Sequence, residues 1–248
     1  SEWHTVSVSA TNFQRTQASV QALLVGMGAR TEVPVVCRHV DDCGMAFFDK
    51  GDGVKTRNLI KTVQATPEFV ALEAGLDISS ARQLLMSELP SLTKGPSGGF
   101  NYFAAFDYFY CRLEHSLPVL PSLRGGRFAT IIEQHMASRF RLYFTHPEHI
   151  AQFVLPLLQD IKQALQTKNL LTVFSGHDVN ILGLLHGLGL SDRFPESYWP
   201  SFGSTVLLEA DHSKDEIVLW HDLNEQALAS FSMGDLNEIM EKHRMNIK

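Results

Sequence analysis

The chain has 248 residues, 44% of them hydrophobic and 19% charged, with a formal net charge of −6. That composition suits one large domain or a domain with an insertion, and it excludes an intrinsically disordered chain. A negative balance without any lysine and arginine cluster excludes binding to nucleic acid or anionic membrane through counterion release. No run reaches the roughly 20 apolar residues of a membrane span. The most apolar stretch, Ile181 to Leu190, is interrupted by Gly183, Gly187 and Gly189 and reads as a buried helix.

In chain order, His4 to Ser9 alternates and is β-branched, which predicts a strand. Val20, Leu23, Leu24 and Met27 then recur at helical spacing, predicting a helix over Gln14 to Met27, with Thr11 and Asn12 as capping residues in the turn before it. Val33 to Cys37 predicts a second strand, and the intervening helix makes a parallel pairing the expectation. Strand patterns vanish from about residue 45 to 168, where long amphipathic segments predict a helical insertion or cap. Helices are expected over Phe100 to Leu117, Gly126 to Phe144 and Glu148 to Gln166, and Ser91 to Gly99 reads as a loop. The sheet resumes at Leu170 to Phe174, followed by Ser175-Gly176-His177-Asp178 and a helix through Leu188. Ser204 to Glu209 and Glu216 to Trp220 fit a closing pair of strands, and Asp235 to Arg244 a terminal helix. The fold class is therefore α/β, a mainly parallel sheet flanked by helices, with 1–44 and 169–248 forming the core and 45–168 the cap.

Cys37, Cys43 and Cys111 are an odd set without metal-type spacing, so they signal neither a full disulfide framework nor a zinc site. A Cys37–Cys43 bridge is compatible only with an oxidising compartment. The chain opens at Ser1 without a leader-like segment, which leaves processing or a longer parent chain as alternatives. His146-Pro147-Glu148-His149 lacks the spacing of two ligands on one helical face, and His135, His186 and His243 lie in helical stretches with no second ligand-type residue paired to them in sequence, so no metal or organic cofactor is implied.

Ligands of α/β sheets sit beyond the carboxyl ends of the strands, where helix N-termini attract anions. Two loops put charge there. Thr11-Asn12-Phe13-Gln14-Arg15-Thr16 sets Arg15 in the first helical turn after a strand, where its planar fork of donors suits a phosphate. Phe174-Ser175-Gly176-His177-Asp178 sends His177 and Asp178 out together at a helix start. Arginine and histidine can hold an oxyanion, and a carboxylic acid can protonate a leaving alkoxide. The bland alternatives are a surface arginine and a helix-capping aspartate.

The order of these features resembles the histidine acid phosphatases, the large-cap branch of the histidine phosphatase superfamily. Thr11 to Thr16 is similar to the family's phosphate-binding arginine loop, with Asn12 where an acidic residue is common. Ser175-Gly176-His177-Asp178 is similar to its His-Asp motif, and Tyr198 to Glu209 to the loop and strand that follow. The resemblance implies a phosphoglycerate mutase-like core, phosphate binding by Arg15 and His177, and proton donation by Asp178. Leu113 to Pro118 with Arg127 to Gln134, and Asn12 to Arg15 with Ala22 to Met27, look nearest to the mitochondrial lysophosphatidic acid phosphatase type, which implies a mitochondrial setting.

The family's chemistry runs through a phosphohistidine in an Arg-His-Gly-x-Arg-x-Pro motif at the end of its first strand. No such motif occurs here. Cys37-Arg38-His39-Val40 lacks the glycine, the second arginine and the proline, and follows Arg15 rather than preceding it, so His39 reads as a loop histidine. Two functional classes stay open. The chain is either a non-catalytic or split-chain subunit, inert alone, or the C-terminal part of an active acid phosphomonoesterase whose nucleophile lies on a segment outside these residues. Either way, a protein partner or an N-terminal segment is expected to pack beside Val6 and Val8, covering an otherwise bare strand edge.

Overall fold

The structure is a computed structural model that describes residues 5–29, 33–38, 53–93, 99–124, 126–167, 169–222 and 224–246. His39 and Cys43 lie outside the described residues, as does His4 at the head of the first predicted strand. In chain order the elements begin with β1 (Val6–Thr11), α1 (Gln14–Gly26), β2 (Val35–Arg38), α2 (Gly53–Gln64), α3 (Pro67–Glu73), α4 (Leu76–Glu88) and the short α5 (Pro90–Thr93). They continue with α6 (Tyr102–Glu114), α7 (Arg127–Thr145), α8 (Pro147–Phe153), α9 (Leu155–Leu165), β3 (Leu171–Ser175) and α10 (Asp178–Gly187). Three strands, β4 (Val206–Asp211), β5 (Glu216–His221) and β6 (Ala229–Phe231), precede the last helix, α11 (Met233–Arg244). Two compact units result: Ser1–Leu59, Phe144–Arg193 and Pro200–Lys248 form the first, and Ile60–Tyr143 with Phe194–Trp199 the second.

The first unit is α/β. Its parallel sheet has the order β2-β1-β3, and β4-β5-β6 form an antiparallel sheet. Strand β1 alternates because its two faces meet different neighbours. Val8 and Ala10 are 1% and 0% exposed and pack with Val20 and Leu24 of α1, with Val6, Val35 and Val173 around them. Burying a valine in this way contributes about 1.5–3 kcal/mol. The opposite alternation, Ser9 and Thr11, is equally buried but polar, and Thr11 serves the site described below. Helix α1 ends where Gly28 takes φ +86°, a left-handed conformation that glycine enters without a Cβ penalty.

The parallel β1–β2 pair is as the sequence predicts, with Val8 opposite Val35 and Thr11 opposite Arg38. Strand β3 lies on the other side, pairing Val6 with Leu171, Val8 with Val173 and Ala10 with Ser175. The expected partner beside Val6 and Val8 is therefore corrected. Val8 has a strand on each side, because β1 is the middle strand, and among the described residues the outer strands of this sheet are β2 and β3. All five residues of β3 are half-buried, whereas the last four of β1 are fully buried.

Helices α8 to α11 pack on one another within the same unit. The single helix expected over Glu148 to Gln166 is two, parted at Val154. Pro156, in the first turn of α9, has no N–H to continue the ladder, so the helix restarts there. Helix α10 lies close to this junction through its glycines: a Cβ at Gly187 would stand 2.6 Å from Val154 Cγ1, and one at Gly183 3.0 Å from the Phe144 ring. The Gly187 carbonyl, at the end of α10, accepts from Nε2 of the buried His243 on α11 at 2.7 Å, which satisfies a terminal acceptor the helix itself leaves open. Arg38, at the end of β2, is paired with Asp160 of α9 at 3.1 Å.

The second unit is helical. Thr66 caps α3 by accepting from Phe69 N, with Pro67 at the first helical position, and Asn101 caps α6 by accepting from Ala104 N. Phe69, Leu85, Ile132, Met136 and Phe140 are fully buried. Glu73, at the end of α3, is inside this unit too, with a side chain 26% exposed. It accepts from Tyr102 Oη at 2.7 Å, from His135 Nε2 at 3.1 Å and from Arg139. The Arg139 guanidinium lies over the rings of Phe69 and Tyr102, 4.8 and 4.5 Å from their centres. Burial alone would raise the Glu73 pKa. The His135 hydrogen bond, the Arg139 charge and the Tyr102 hydroxyl overcome it and hold the carboxyl at about 2. Burial, against the pull of Glu73 and with the Arg139 and Arg82 charges, lowers the His135 pKa, and because a carboxylate only accepts, the His135 Nε2–H is the donor.

Candidate functional site

The register that sets Ala10 beside Ser175 brings the carboxyl ends of β1 and β3 level, so the loops that leave them meet. From the first come Thr11, Phe13, Arg15 and Thr16; from the second come Ser175, His177 and Asp178. Arg15 Nη2 lies 3.3 Å from His177 Nδ1, joining residues 162 positions apart. Two of the three residues singled out in the sequence thus converge directly. Asp178 follows His177 in the chain and opens α10, where its Oδ1 accepts from Val179 N at 2.8 Å. Asn180 Oδ1 accepts from His177 N at 2.8 Å and fixes the turn from which the imidazole projects.

The ring is held on its other side by a residue read from the sequence only as a helix cap. Thr11 Oγ1 lies 3.2 Å from His177 Nε2. It also lies 2.9 Å from Thr16 Oγ1, and Thr16 in turn donates to the Thr11 and Phe13 carbonyls. Helix α1 has Phe13 at its N-cap and no side-chain cap, so neither Thr11 nor Asn12 plays the part expected of it. The reason is tertiary: the Thr11 hydroxyl, in a fully buried residue, is turned to the other loop, and Asn12 is exposed. Ser175 Oγ donates to the Thr16 carbonyl at 2.8 Å, tying the two loops together a second time.

Phe13 is the common support. Its ring meets the His177 ring edge-on with centroids 5.2 Å apart, and Arg15 Cζ lies 4.6 Å from its centre. An arginine lying over an aromatic face keeps part of its donor fork directed outward, and Arg15 is exposed. Burial first, and then the Arg15 charge, lower the His177 pKa to about 4, so the ring is neutral near neutral pH. Thr11, Thr16 and Phe13 were missed as site residues. The one trace of Thr11 in the sequence is that a buried strand face, Ser9 and Thr11, carries hydroxyls where β-branched apolar residues would serve.

The remaining candidates stand apart. Among the described residues Cys37 and Cys111 form no disulfide, and no cluster of histidine, cysteine or carboxylate side chains could hold a metal ion. No described helix is long and apolar enough to cross a membrane.

The chain shares its fold with solved phytases. The phytase from Citrobacter braakii matches with a TM-score of 0.60 and 14% identity, over 96% of this chain and 78% of the phytase. Klebsiella sp. ASR1 phytase matches with a TM-score of 0.61 and 14% identity, over 98% of this chain and 77% of that one. The class is thereby defined: an α/β protein, a parallel sheet flanked by helices, with the histidine acid phosphatase fold. At this identity the likeness is one of fold. No protein-family model and no curated protein sequence matches the chain.

Proposed function

We propose that this chain is a phosphate-binding, non-catalytic subunit built on a phosphatase fold, inert alone, with Arg15 and His177 as its oxyanion ligands. The observation that supports this most is the meeting of Arg15 and His177 at the carboxyl ends of two adjacent parallel strands. Asp178, which follows His177 and opens α10, would be the proton donor only if a nucleophile completed the site. Transfer of a phosphoryl group through a phosphohistidine requires a second imidazole in line with the leaving oxygen. The Arg-His-Gly motif that carries it is not among the 248 residues. Arg38, at the end of β2, is parted from β3 by β1 and engaged by Asp160, and its sequence neighbours lack the glycine, second arginine and proline of that motif.

The expected partner moves with the sheet order. Among the described residues β3 pairs with β1 alone, and β3 is the edge strand whose carboxyl end leads to His177. An extended segment running parallel to β3 would complete the sheet and bring its own carboxyl end beside the site. Under the subunit reading another chain supplies it, in a mitochondrial assembly by the branch resemblance.

One observation favours a second reading, in which that segment belongs to the same polypeptide and completes an acid phosphomonoesterase of the lysophosphatidic acid phosphatase type. The match covers 78% and 77% of the two phytases, so part of each has no counterpart here. The 248-residue chain is expected to show no turnover of a small aryl phosphate at acid pH. It is expected to bind inorganic phosphate in a calorimeter, with at least about a tenfold loss in Arg15→Ala and in His177→Ala. Turnover that disappears in His177→Ala would sink the inert reading. Phosphate affinity unchanged in both variants would sink the site, and exclusion of a tagged chain from isolated mitochondria would sink the localisation.

A further inference from the structure

The hydrogen bonds around His177 run in one direction only. A guanidinium has donors and no acceptor, so Nδ1 facing Arg15 must carry a lone pair. The proton of the neutral ring is then on Nε2, which donates to Thr11 Oγ1. Thr11, having accepted, donates its own proton to Thr16 Oγ1, and Thr16 passes its proton to a main-chain carbonyl. Thr11 and Thr16 are 0% and 3% exposed, so water does not substitute for either hydroxyl. Reversing the chain would put an Nδ1–H against the Arg15 donors and take the Thr16 proton from the main-chain carbonyls.

A consequence follows for any oxyanion beside Arg15, and it rests on the reading of Arg15 and His177 as its ligands. In the unliganded arrangement the histidine turns a lone pair, not an N–H, toward the place where the anion would lie. We propose that Thr11 is a positioning residue that fixes the Nε2–H form of His177, so that an oxyanion binding beside Arg15 takes up one proton, on Nδ1. The imidazolium then donates to the anion through Nδ1 and to Thr11 through Nε2, with both N–H groups satisfied. The charge that acts on the ring is Arg15 of α1, while Asp178, next in the chain, is in the first turn of α10 and accepts from Val179 N. β1 contributes the Thr11 hydroxyl, α1 the Thr16 hydroxyl and β3 Ser175. The neutral ring of the free protein agrees with this arrangement.

Sulfate is the suitable probe, since its charge is constant over the range in which phosphate itself titrates. Its association constant for the whole chain is expected to fall about tenfold per pH unit between about pH 5 and pH 7, the slope of one linked proton. The slope should survive in Asp178→Asn. Thr11→Val, which keeps the shape, is expected to weaken sulfate about tenfold at the acid end, because the imidazolium would then bury an unpaired N–H. Thr11→Ser should restore it to within about threefold. Histidine side-chain nitrogen NMR on the free protein gives a reading independent of binding: His177 should show the Nε2–H form, and Thr11→Val a mixture. A flat pH profile for sulfate, or an Nδ1–H ring, overturns the proposal while leaving the anion site standing. Absence of sulfate binding at every pH refutes the site and the proton uptake together, and leaves the positioning role of Thr11 to the NMR result alone.

Discussion

Replacing Glu73 with alanine is expected to destabilise the helical unit by about 3 kcal/mol, the scale of removing one partner from a largely buried ionic cluster. Three donors lose their acceptor at once: Tyr102 on α6 and His135 and Arg139 on α7. Side chains of His135 and Arg139 are 4% and 14% exposed, so water cannot reach them freely to compensate. Arg139 keeps its two aromatic faces but becomes an uncompensated cation among them. Glu73→Gln, which retains two hydrogen-bonding atoms but no charge, should fall between wild type and alanine. The pH dependence has a definite sign. A carboxyl held at about 2, against an ordinary value of 4.5, contributes its stability above the ordinary value and loses it as pH falls from there through about 2. Urea denaturation followed by circular dichroism at neutral pH and near pH 3 measures both. An unchanged midpoint in Glu73→Ala would mean that the cluster is a passenger of the apolar packing.

The second large effect is expected at Gly187. Glycine in a helix is ordinarily a weak point, and its replacement by alanine usually gains about 1 kcal/mol. Here the sign should reverse, because the new Cβ would stand 2.6 Å from Val154 Cγ1, and Val154 is itself wedged at the α8–α9 junction. Overpacking of this kind is destabilising by about 1–3 kcal/mol, and Gly187→Val, with two more carbons, should reach the top of that range or exceed it. The strain should also lengthen the His243 bond to the Gly187 carbonyl, loosening α11. Thermal unfolding of the two variants beside wild type decides it. A gain in melting temperature for Gly187→Ala would show that Val154 yields easily.

Much of this architecture is legible in the residues themselves. The Val6, Val8 and Ala10 alternation and the Val20–Leu24 spacing are sufficient for a strand against a helix, because one apolar face is all that β1 and α1 share. Phe174-Ser175-Gly176-His177 likewise announces a strand that turns into a helix. What the sequence does not carry is adjacency. Nothing local in Val6 to Thr11 says that the neighbour on its far side is a strand 165 residues later, pairing Val6 with Leu171. Position in the sheet, and hence which of the described strands is outermost, is therefore settled only by the long-range register. The same holds for Thr11. A hydroxyl just before a helix has a local use as a cap, and only the arrival of His177 gives it a better one. Val154 shows the opposite case, since Pro156 was in view and the break it makes follows from its missing N–H alone.

Leu170 to Phe174 has bearing on how the chain must be produced. The segment carries no lysine, no proline and no charge, the usual guards of a strand edge, and Leu170 is 68% exposed. Short uncharged β-prone segments of this kind pair readily with copies of themselves. Among the described residues no second strand pairs with β3, so copies of the chain are expected to compete for that edge, and recovery in solution should fall as concentration rises.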